Sequence, residues 1–233
     1  MFQILGMLSM LSCGAEIEKI NGKSTLNVQL VGNYSNRGMR KSYKSSVKVS
    51  VFYQKENIGN GSGNYFTHRG KEFIITSAHI VSGMDRVIIE ERFGLATIDC
   101  KVAYMDENND IAILFPQEKL KSLKPIKYTW NDDVSRGEPV YYTGYPSGLE
   151  EISFRGIVSG STAEFYIIQS AAWMGSSGSV VFNNKGQTIG IVSGVKVGFS
   201  PLGSPQVINN IVMVSPIFFL QESLLRNILN SEA

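Results

Sequence analysis

The pentapeptide Gly175-Ser176-Ser177-Gly178-Ser179 constrains this chain more than any other stretch. Its glycines allow the backbone to turn sharply, and its small side chains leave Ser177 at the tip of the turn with little bulk around it. Such a turn directs the N–H groups of Gly175 and Ser177 at one point, where they would stabilise a developing oxyanion. Glycine–serine runs are also common as simple turns, so the interpretation depends on what else the chain supplies.

Two further residues supply the partners that a hydroxyl nucleophile needs. The chain has two histidines, and one of them, His79, lies in Thr76-Ser77-Ala78-His79-Ile80-Val81. Asp110 directly precedes the apolar run 111–114, at the start of a predicted strand. A hydroxyl, an imidazole base and a carboxylate that orients the base are the three parts of nucleophilic acyl transfer. The other histidine, His68, is interpreted as a surface residue of a hairpin-like loop.

The order of these residues along the chain distinguishes between folds. His79 comes first, Asp110 second and Ser177 third, whereas α/β-hydrolases have the order Ser–Asp–His and subtilisins the order Asp–His–Ser. Over residues 47–228 the chain resembles the trypsin-like serine proteases, in particular their HtrA-type and glutamyl-endopeptidase-type bacterial branches. The other motifs that carry this resemblance are Gly61-Ser62-Gly63, Gly144-Tyr145-Pro146-Ser147-Gly148, Gly156-Ile157-Val158-Ser159 and Gly190-Ile191-Val192-Ser193.

The resemblance implies an all-β, chymotrypsin-like fold: two antiparallel six-stranded β-barrels followed by a C-terminal α-helix. The residues agree with it, because short apolar segments alternate with turn residues from position 47 onward. Within that protease domain, 47–233, we expect barrel one over about 47–115, a crossover over 116–136, barrel two over about 137–215 and the helix over about 216–230. Two shorter segments are predicted to be turns, namely 60–64 and the hairpin turn 183–186.

The resemblance also assigns roles within a serine endopeptidase site. The assigned residues are His79, Asp110 and Ser177 for catalysis, Gly175 and Ser177 for the oxyanion hole, and Ala171, Ser193 and Val195 for the substrate pocket. Ala171 would lie at the base of the pocket, where a carboxylate would select Lys or Arg and alanine cannot. Val195 would narrow the pocket wall. The family therefore implies cleavage after small or medium apolar residues, with no cofactor and no metal ion.

The composition describes an ordinary globular protein and excludes several other functions. Hydrophobic residues make up 43% of the chain and charged residues 18%, and the net charge of +2 is too small to favour nucleic acid or a membrane surface as a partner. Two cysteines cannot form a disulfide framework, and with two distant histidines they cannot form a zinc cluster. Cys100, in a predicted strand, is interpreted as a structural thiol.

The N-terminal residues favour processing or anchoring of the chain. Residues 1–15 contain an apolar run too short to span a bilayer but suited to a secretory signal, and Cys13 followed by Gly14 resembles a lipoprotein processing site. No Lys or Arg precedes the run, so the alternative is an apolar segment that packs on the domain or frays. Residues 16–46 are predicted to be a solvated linker or arm. We expect an exported or lipid-anchored protein, otherwise a cytoplasmic or virus-associated one, with membrane contact only through an acylated Cys13.

Two functions of different classes remain open at this point. One is an active serine endopeptidase acting on a protein or peptide substrate, and the other is a catalytically silent protease-like binding or structural module. Retention of all three catalytic residues favours the first. The hydroxyls of Ser176 and Ser179, at a turn expected to be exposed, should contribute little. Nothing follows the predicted C-terminal helix, so we expect no PDZ module of the kind that many HtrA-type proteins carry, and the oligomeric state is not predicted.

Overall fold

The computed structural model describes residues 15–20, 23–28, 36–91, 96–199 and 205–231. The chain divides into two compact units, Met1–Ser35 and Asn36–Ala233. In the first unit, strands β1 (Ala15–Ile20) and β2 (Lys23–Val28) form an antiparallel hairpin. Cys13 lies outside the described residues, so the signal or lipoprotein segment stays a prediction.

The second unit contains two barrels, and the first is a closed barrel of six antiparallel strands. Their order is β3-β6-β7-β8-β5-β4, and β4 returns to β3 to close the ring. The strands are β3 (Ser46–Tyr53), β4 (Glu56–His68), β5 (Lys71–Thr76), β6 (Arg86–Glu90), β7 (Thr97–Asp106) and β8 (Ile111–Pro116). A two-residue strand in the crossover, β9 (Ile126–Lys127), adds to β4 in parallel. A short helix, α2 (Ala78–Val81), follows β5.

A second closed barrel of six antiparallel strands follows. Its order is β10-β11-β12-β15-β14-β13, with β13 returning to β10. The strands are β10 (Pro139–Gly144), β11 (Ile152–Ser161), β12 (Tyr166–Gln169), β13 (Val180–Asn183), β14 (Thr188–Phe199) and β15 (Pro205–Pro216). The predicted all-β fold of two barrels is confirmed, and the hairpin turn at 183–186 connects β13 to β14.

The turn predicted at 60–64 is wrong. Strand β4 runs without interruption from Glu56 to His68, and Gly61-Ser62-Gly63 lies in its buried part. The glycines are there because neighbouring groups approach the backbone closely, which is a recognised use of glycine within strands. A Cβ at Gly61 would collide with the side chain of Ile80, and one at Gly63 would lie 3.0 Å from the Ile75 carbonyl oxygen.

Apolar side chains fill each barrel and the space between the two. The cluster between the barrels includes Phe66 and Phe73 from the first and Phe182 from the second. Helix α3 (Glu222–Asn230) packs its buried Leu225 on this same cluster, and burial of a leucine contributes about 1.5–3 kcal/mol. The predicted C-terminal helix is therefore confirmed, but it begins later than expected, because Pro216 still belongs to β15 and a short 3-10 helix, Ile217–Phe219, follows it.

Part of the predicted linker is a helix, α1 (Arg37–Ser45). Asn36 caps it by accepting a hydrogen bond from the N–H of Met39 at 2.9 Å. The helix packs against β10 and β13, and its buried residues are small: Gly38, Ser42 and Ser45. A search for apolar periodicity misses such a helix, because glycine and serine rather than leucine face the barrel.

Candidate active site

The three predicted catalytic residues come from segments that the two barrels bring together. His79 lies in α2 directly after β5, and Asp110 directly precedes β8. Strands β5 and β8 are neighbours, with Thr76 opposite Ala112, so their ends place His79 beside Asp110. Ser177 lies in the segment between β12 and β13 of the second barrel.

The carboxylate of Asp110 holds the ring of His79. Nδ1 of His79 lies 2.9 Å from both carboxylate oxygens, and the backbone N–H of His79 donates to Oδ1, also at 2.9 Å. An ionised carboxylate only accepts hydrogen bonds, so Nδ1 carries the proton and Nε2 of the neutral ring has a free lone pair. Asp110 adopts a left-handed backbone conformation with φ of 52°, which aspartate tolerates better than most residues.

The environment of Asp110 keeps its carboxylate ionised. Burial alone would raise its pKa, but hydrogen bonds from the His79 ring, the Ser193 hydroxyl and the His79 backbone N–H outweigh burial and lower the pKa. Ser193 donates its hydroxyl to Oδ2 of Asp110. Ser193 was predicted as a pocket residue, and its contact with Asp110 could not be read from the sequence, because the two residues lie on different barrels.

The hydroxyl of Ser177 donates to the carbonyl oxygen of Ser193 at 3.3 Å. Within the described residues, no hydrogen bond joins Ser177 to His79. Ser193 thus contacts two of the three predicted catalytic residues: its carbonyl accepts from Ser177, and its hydroxyl donates to Asp110.

The backbone of the turn leaves two N–H groups free. The N–H of Ser176 donates to the Trp173 carbonyl at 2.9 Å, and that of Gly178 to the Val192 carbonyl at 2.8 Å. Among the described residues, the N–H groups of Gly175 and Ser177 donate to no protein group. Gly175 has a φ of 92°, a conformation that favours glycine. The two predicted oxyanion donors are therefore the two unpaired donors of this turn.

The other two serines of the pentapeptide are buried, which corrects the expectation of an exposed turn. Ser176 is 1% exposed, and its hydroxyl oxygen accepts a hydrogen bond from the N–H of Trp173 at 3.2 Å. Ser179 is fully buried, and its hydroxyl has no hydrogen-bond partner among the described residues.

The remaining pocket residues, Ala171 and Val195, are partly buried and pack against the apolar cluster of the second barrel. The Ala171 carbonyl accepts a hydrogen bond from the hydroxyl of Tyr142. Beside the nucleophile, Trp173 and Met174 are 58% and 88% exposed. These two exposed apolar residues directly precede Gly175, and the sequence analysis did not single them out.

His68 is not the surface residue that was expected. It is half-buried at the end of β4, with its ring edge-on to Tyr128 at 6.1 Å between centroids. Burial lowers its pKa. Its partner Tyr128 belongs to the cluster between the barrels, so we assign His68 a structural role.

Among the described residues, no group of three His, Cys, Asp or Glu side chains is arranged to hold a metal ion. Cys100 is buried in β7, and burial raises the pKa of its thiol to about 12, as suits a structural role. In the same part of the chain, no helix has the length and apolar character needed to cross a membrane.

The chain is similar in sequence to known proteins. Residues 61–191, more than half of the chain, match the trypsin-like peptidase domain. Protease Do-like 1 of Arabidopsis thaliana, a chloroplast protein, is 26% identical over 183 residues, which are 72% of this chain and 40% of that protein. A probable periplasmic serine protease of Haemophilus influenzae, described as do/HhoA-like, is 31% identical over 155 residues, 62% of this chain and 32% of that protein.

Solved structures show the same fold. The HtrA-type protease AlgW with a tripeptide superposes with a TM-score of 0.68 at 21% identity, covering 86% of this chain and 65% of that one. The resemblance to HtrA-type proteases is thus confirmed, although the chain spans two fifths or less of the length of the two curated relatives named above. By its matched domain, its fold and these relatives, the chain belongs to the trypsin-like peptidase family.

Proposed function

We propose that this protein is a serine endopeptidase in which Ser177 is the nucleophile, His79 the general base and Asp110 the residue that orients the base. The observation that carries the proposal is the pair of unpaired N–H groups, from Gly175 and Ser177, on the turn that bears the Ser177 hydroxyl. Backbone donors are normally paired, and two free donors on the turn that carries a hydroxyl suit an oxyanion.

The proposed reaction follows from these atoms. Ser177 Oγ attacks the peptide carbonyl carbon while its proton passes to Nε2 of His79, which Asp110 holds in the required tautomer. This requires rotation about the Cα–Cβ bond of Ser177, which exchanges the Ser193 carbonyl for Nε2 as the acceptor. The N–H groups of Gly175 and Ser177 stabilise the tetrahedral oxyanion. The intermediate collapses, the leaving amine takes the proton from His79, and an acyl-enzyme remains.

Water completes the cycle. It attacks the acyl carbon while His79 accepts one of its protons, and the second tetrahedral intermediate returns the proton to Ser177 and releases the acid. Asp110 stays ionised throughout, because its lowered pKa disfavours protonation. No cofactor takes part in this scheme.

We propose further that cleavage follows small or medium apolar residues. Support comes from Ala171 and Val195, which pack on an apolar cluster and bring no charge to the proposed pocket. Such a pocket gives a Lys or Arg side chain no partner for its charge. Protein and peptide chains are the proposed substrates, because the family's domain is a peptidase domain.

Labelling with a serine-reactive peptide phosphonate tests the activity, with the adduct located by mass spectrometry. We expect one adduct, on Ser177, that is lost in Ser177→Ala and kept in Ser179→Ala. The Ser179 variant is the matched control, since it removes a nearby hydroxyl that has no hydrogen-bond partner in the described structure. A folded wild-type protein that neither takes up the phosphonate nor cleaves a peptide would instead be a protease-like binding module.

A further inference from the structure

The direction of the oxyanion donors depends on groups outside the turn. In a trans peptide the C=O and the N–H point in opposite directions. A hydrogen-bond partner that fixes the C=O of a peptide therefore also fixes the direction of the N–H of that peptide. Gly175, with its φ of 92°, offers little resistance to rotation of the adjoining planes.

Three carbonyls of the turn accept hydrogen bonds from other segments. The Met174 carbonyl accepts from the N–H of Ser147 at 2.6 Å, which turns the Gly175 N–H of the same peptide the opposite way. The Gly175 carbonyl accepts from the hydroxyl of Ser62 at 2.6 Å. The Ser177 carbonyl accepts from the N–H of Ser62 at 2.8 Å. Two of the three donors thus belong to one residue, in strand β4 of the other barrel.

The hydroxyl of Ser62 also contacts the segment 145–147, whose Ser147 N–H donates to the Met174 carbonyl. It accepts a hydrogen bond from the N–H of Tyr145 at 2.9 Å, two residues before Ser147. A hydroxyl has one proton, so with Tyr145 donating to its oxygen the proton is committed to the Gly175 carbonyl. Ser62 therefore fixes the Gly175 carbonyl directly and supports the Ser147–Met174 contact through Tyr145.

The contact between β4 and the turn is tight. Ser62 is fully buried, and its own carbonyl accepts from the hydroxyl of Thr76 at 2.7 Å. A Cβ at Gly178 would overlap the Ser62 carbonyl oxygen, and one at Gly144 would lie 2.8 Å from Ser62 Oγ. These glycines allow the neighbouring backbones to approach Ser62 closely.

From these contacts we infer that Ser62 is a positioning residue that sets the oxyanion turn from the first barrel. This inference rests on the proposed function. Loss of the hydroxyl removes the donor to the Gly175 carbonyl and the acceptor of the Tyr145 N–H, and the turn compensates by rotating peptide planes next to the Gly175 N–H. Transition-state stabilisation then falls, while ground-state binding of substrate is little changed.

Steady-state kinetics on a peptide amide test the positioning role of Ser62. The wild type is compared with Ser62→Ala and Ser45→Ala. Ser45 is the matched control because it is equally buried, donates to the Lys41 carbonyl at 2.8 Å and accepts from Nδ2 of Asn64 at 2.7 Å. Each alanine variant removes one donated and one accepted hydrogen bond. We expect Ser62→Ala to lower kcat about 10- to 100-fold with KM within about twofold, and Ser45→Ala to keep kcat within about twofold.

The affinity for a peptide boronate is a second measurement, and a change in folding stability alone would not alter it. The tetrahedral boronate adduct places an oxygen at the oxyanion donors. This affinity should fall with kcat/KM in Ser62→Ala and stay unchanged in Ser45→Ala, and the shape of the pH–rate profile should be the same in both. If Ser62→Ala does not fold, Ser62→Cys replaces it: the thiol is a weaker donor in the same place, and kcat should fall several-fold.

The outcomes separate the two proposals. An active wild type with a folded Ser62→Ala or Ser62→Cys of unchanged kcat overturns the role of Ser62 and leaves the proposed function standing. Equal losses in Ser62→Ala and Ser45→Ala also overturn it, since the effect would then be general to buried hydroxyls. A folded wild type without activity overturns both proposals.

Discussion

Asp110 accepts hydrogen bonds from both the backbone and the ring of His79, at 2.9 Å in each case. The His79 side chain is 51% exposed, so little of its position comes from packing. The two hydrogen bonds to Asp110 take the place of packing. The same carboxylate binds the backbone N–H and the ring Nδ1 of His79, so the ring has little freedom to rotate. This relationship fixes the direction of the imidazole despite its exposure.

The proposed roles predict a ranking of three substitutions. Ser177→Ala should lower turnover of a peptide ester on the order of 10⁶-fold, and His79→Ala nearly as much, because the two act as one unit. Asp110→Asn should lower it by about 10⁴, since the base remains but in the wrong tautomer. Turnover is measured for each variant, with circular dichroism as the folding control. Near-wild-type turnover in Ser177→Ala would show that the nucleophile is misassigned.

Ser193→Ala should lower kcat by about tenfold, because it removes a hydrogen bond to a charged group. The same change should raise the pKa of Asp110, since the Ser193 hydroxyl is one of the groups that lower it. The acidic limb of the pH–rate profile is the measurement. Ser215→Ala is the control, as Ser215 is a buried serine whose hydroxyl has no partner in the described structure. If Ser193→Ala changes neither kcat nor the pH–rate profile, Ser193 has no role in the proposed reaction.

Gly175→Ala should abolish most activity, whereas Gly70→Ala should not. Both glycines have a positive φ, 92° and 80°, so the alanine strain, about 1 kcal/mol, is similar. At Gly175 a Cβ would lie 2.5 Å from the Tyr145 carbonyl oxygen, while at Gly70 it would meet nothing within 4 Å. Turnover and thermal unfolding of the two variants are compared. Equal activity of the Gly175→Ala and Gly70→Ala variants would mean that the turn at Gly175 can shift without loss of function.

Cleavage of a peptide library should be strongest after small or medium apolar residues, and Ala171→Asp should add cleavage after Lys or Arg. The introduced carboxylate would lie at the proposed pocket base and pair with a basic side chain. Fragment masses give the cleavage sites. Dominant cleavage by the wild type after Arg, Lys or Glu would contradict the pocket assignment.

Lys41 should make stability depend on pH above neutrality. Burial, together with the charges of Arg37 and Lys127, lowers its pKa from 10.5 to about 8. Between these values the unfolded chain binds more protons than the folded one, so the free energy of unfolding should rise with pH through this window. In Lys41→Met this rise should be smaller. Urea unfolding of both proteins at pH 7.5 and 10 measures the difference, and parallel behaviour would show that Lys41 is solvated in the folded state.

The sequence by itself determined the fold class and the identity of the candidate catalytic residues. Histidine is rare in this chain, with two residues in total, and the order of His79, Asp110 and Ser177 together with the short alternating strands restricts the possible folds. Local patterns are sufficient for this, because strands and turns reflect the periodicity and backbone preferences of neighbouring residues.

Only the tertiary structure decided what surrounds the candidate catalytic residues. Ser193 contacts Asp110 and Ser62 contacts Gly175 across two barrels, at separations along the chain that no local pattern encodes. The same reason explains the wrong turn at 60–64: its glycines and serine have turn composition, but they lie in a strand because another segment packs directly on that backbone. The backbone conformation of a glycine and the hydrogen-bond partner of a serine depend on which groups from distant parts of the chain lie beside them. Only folding brings those groups together.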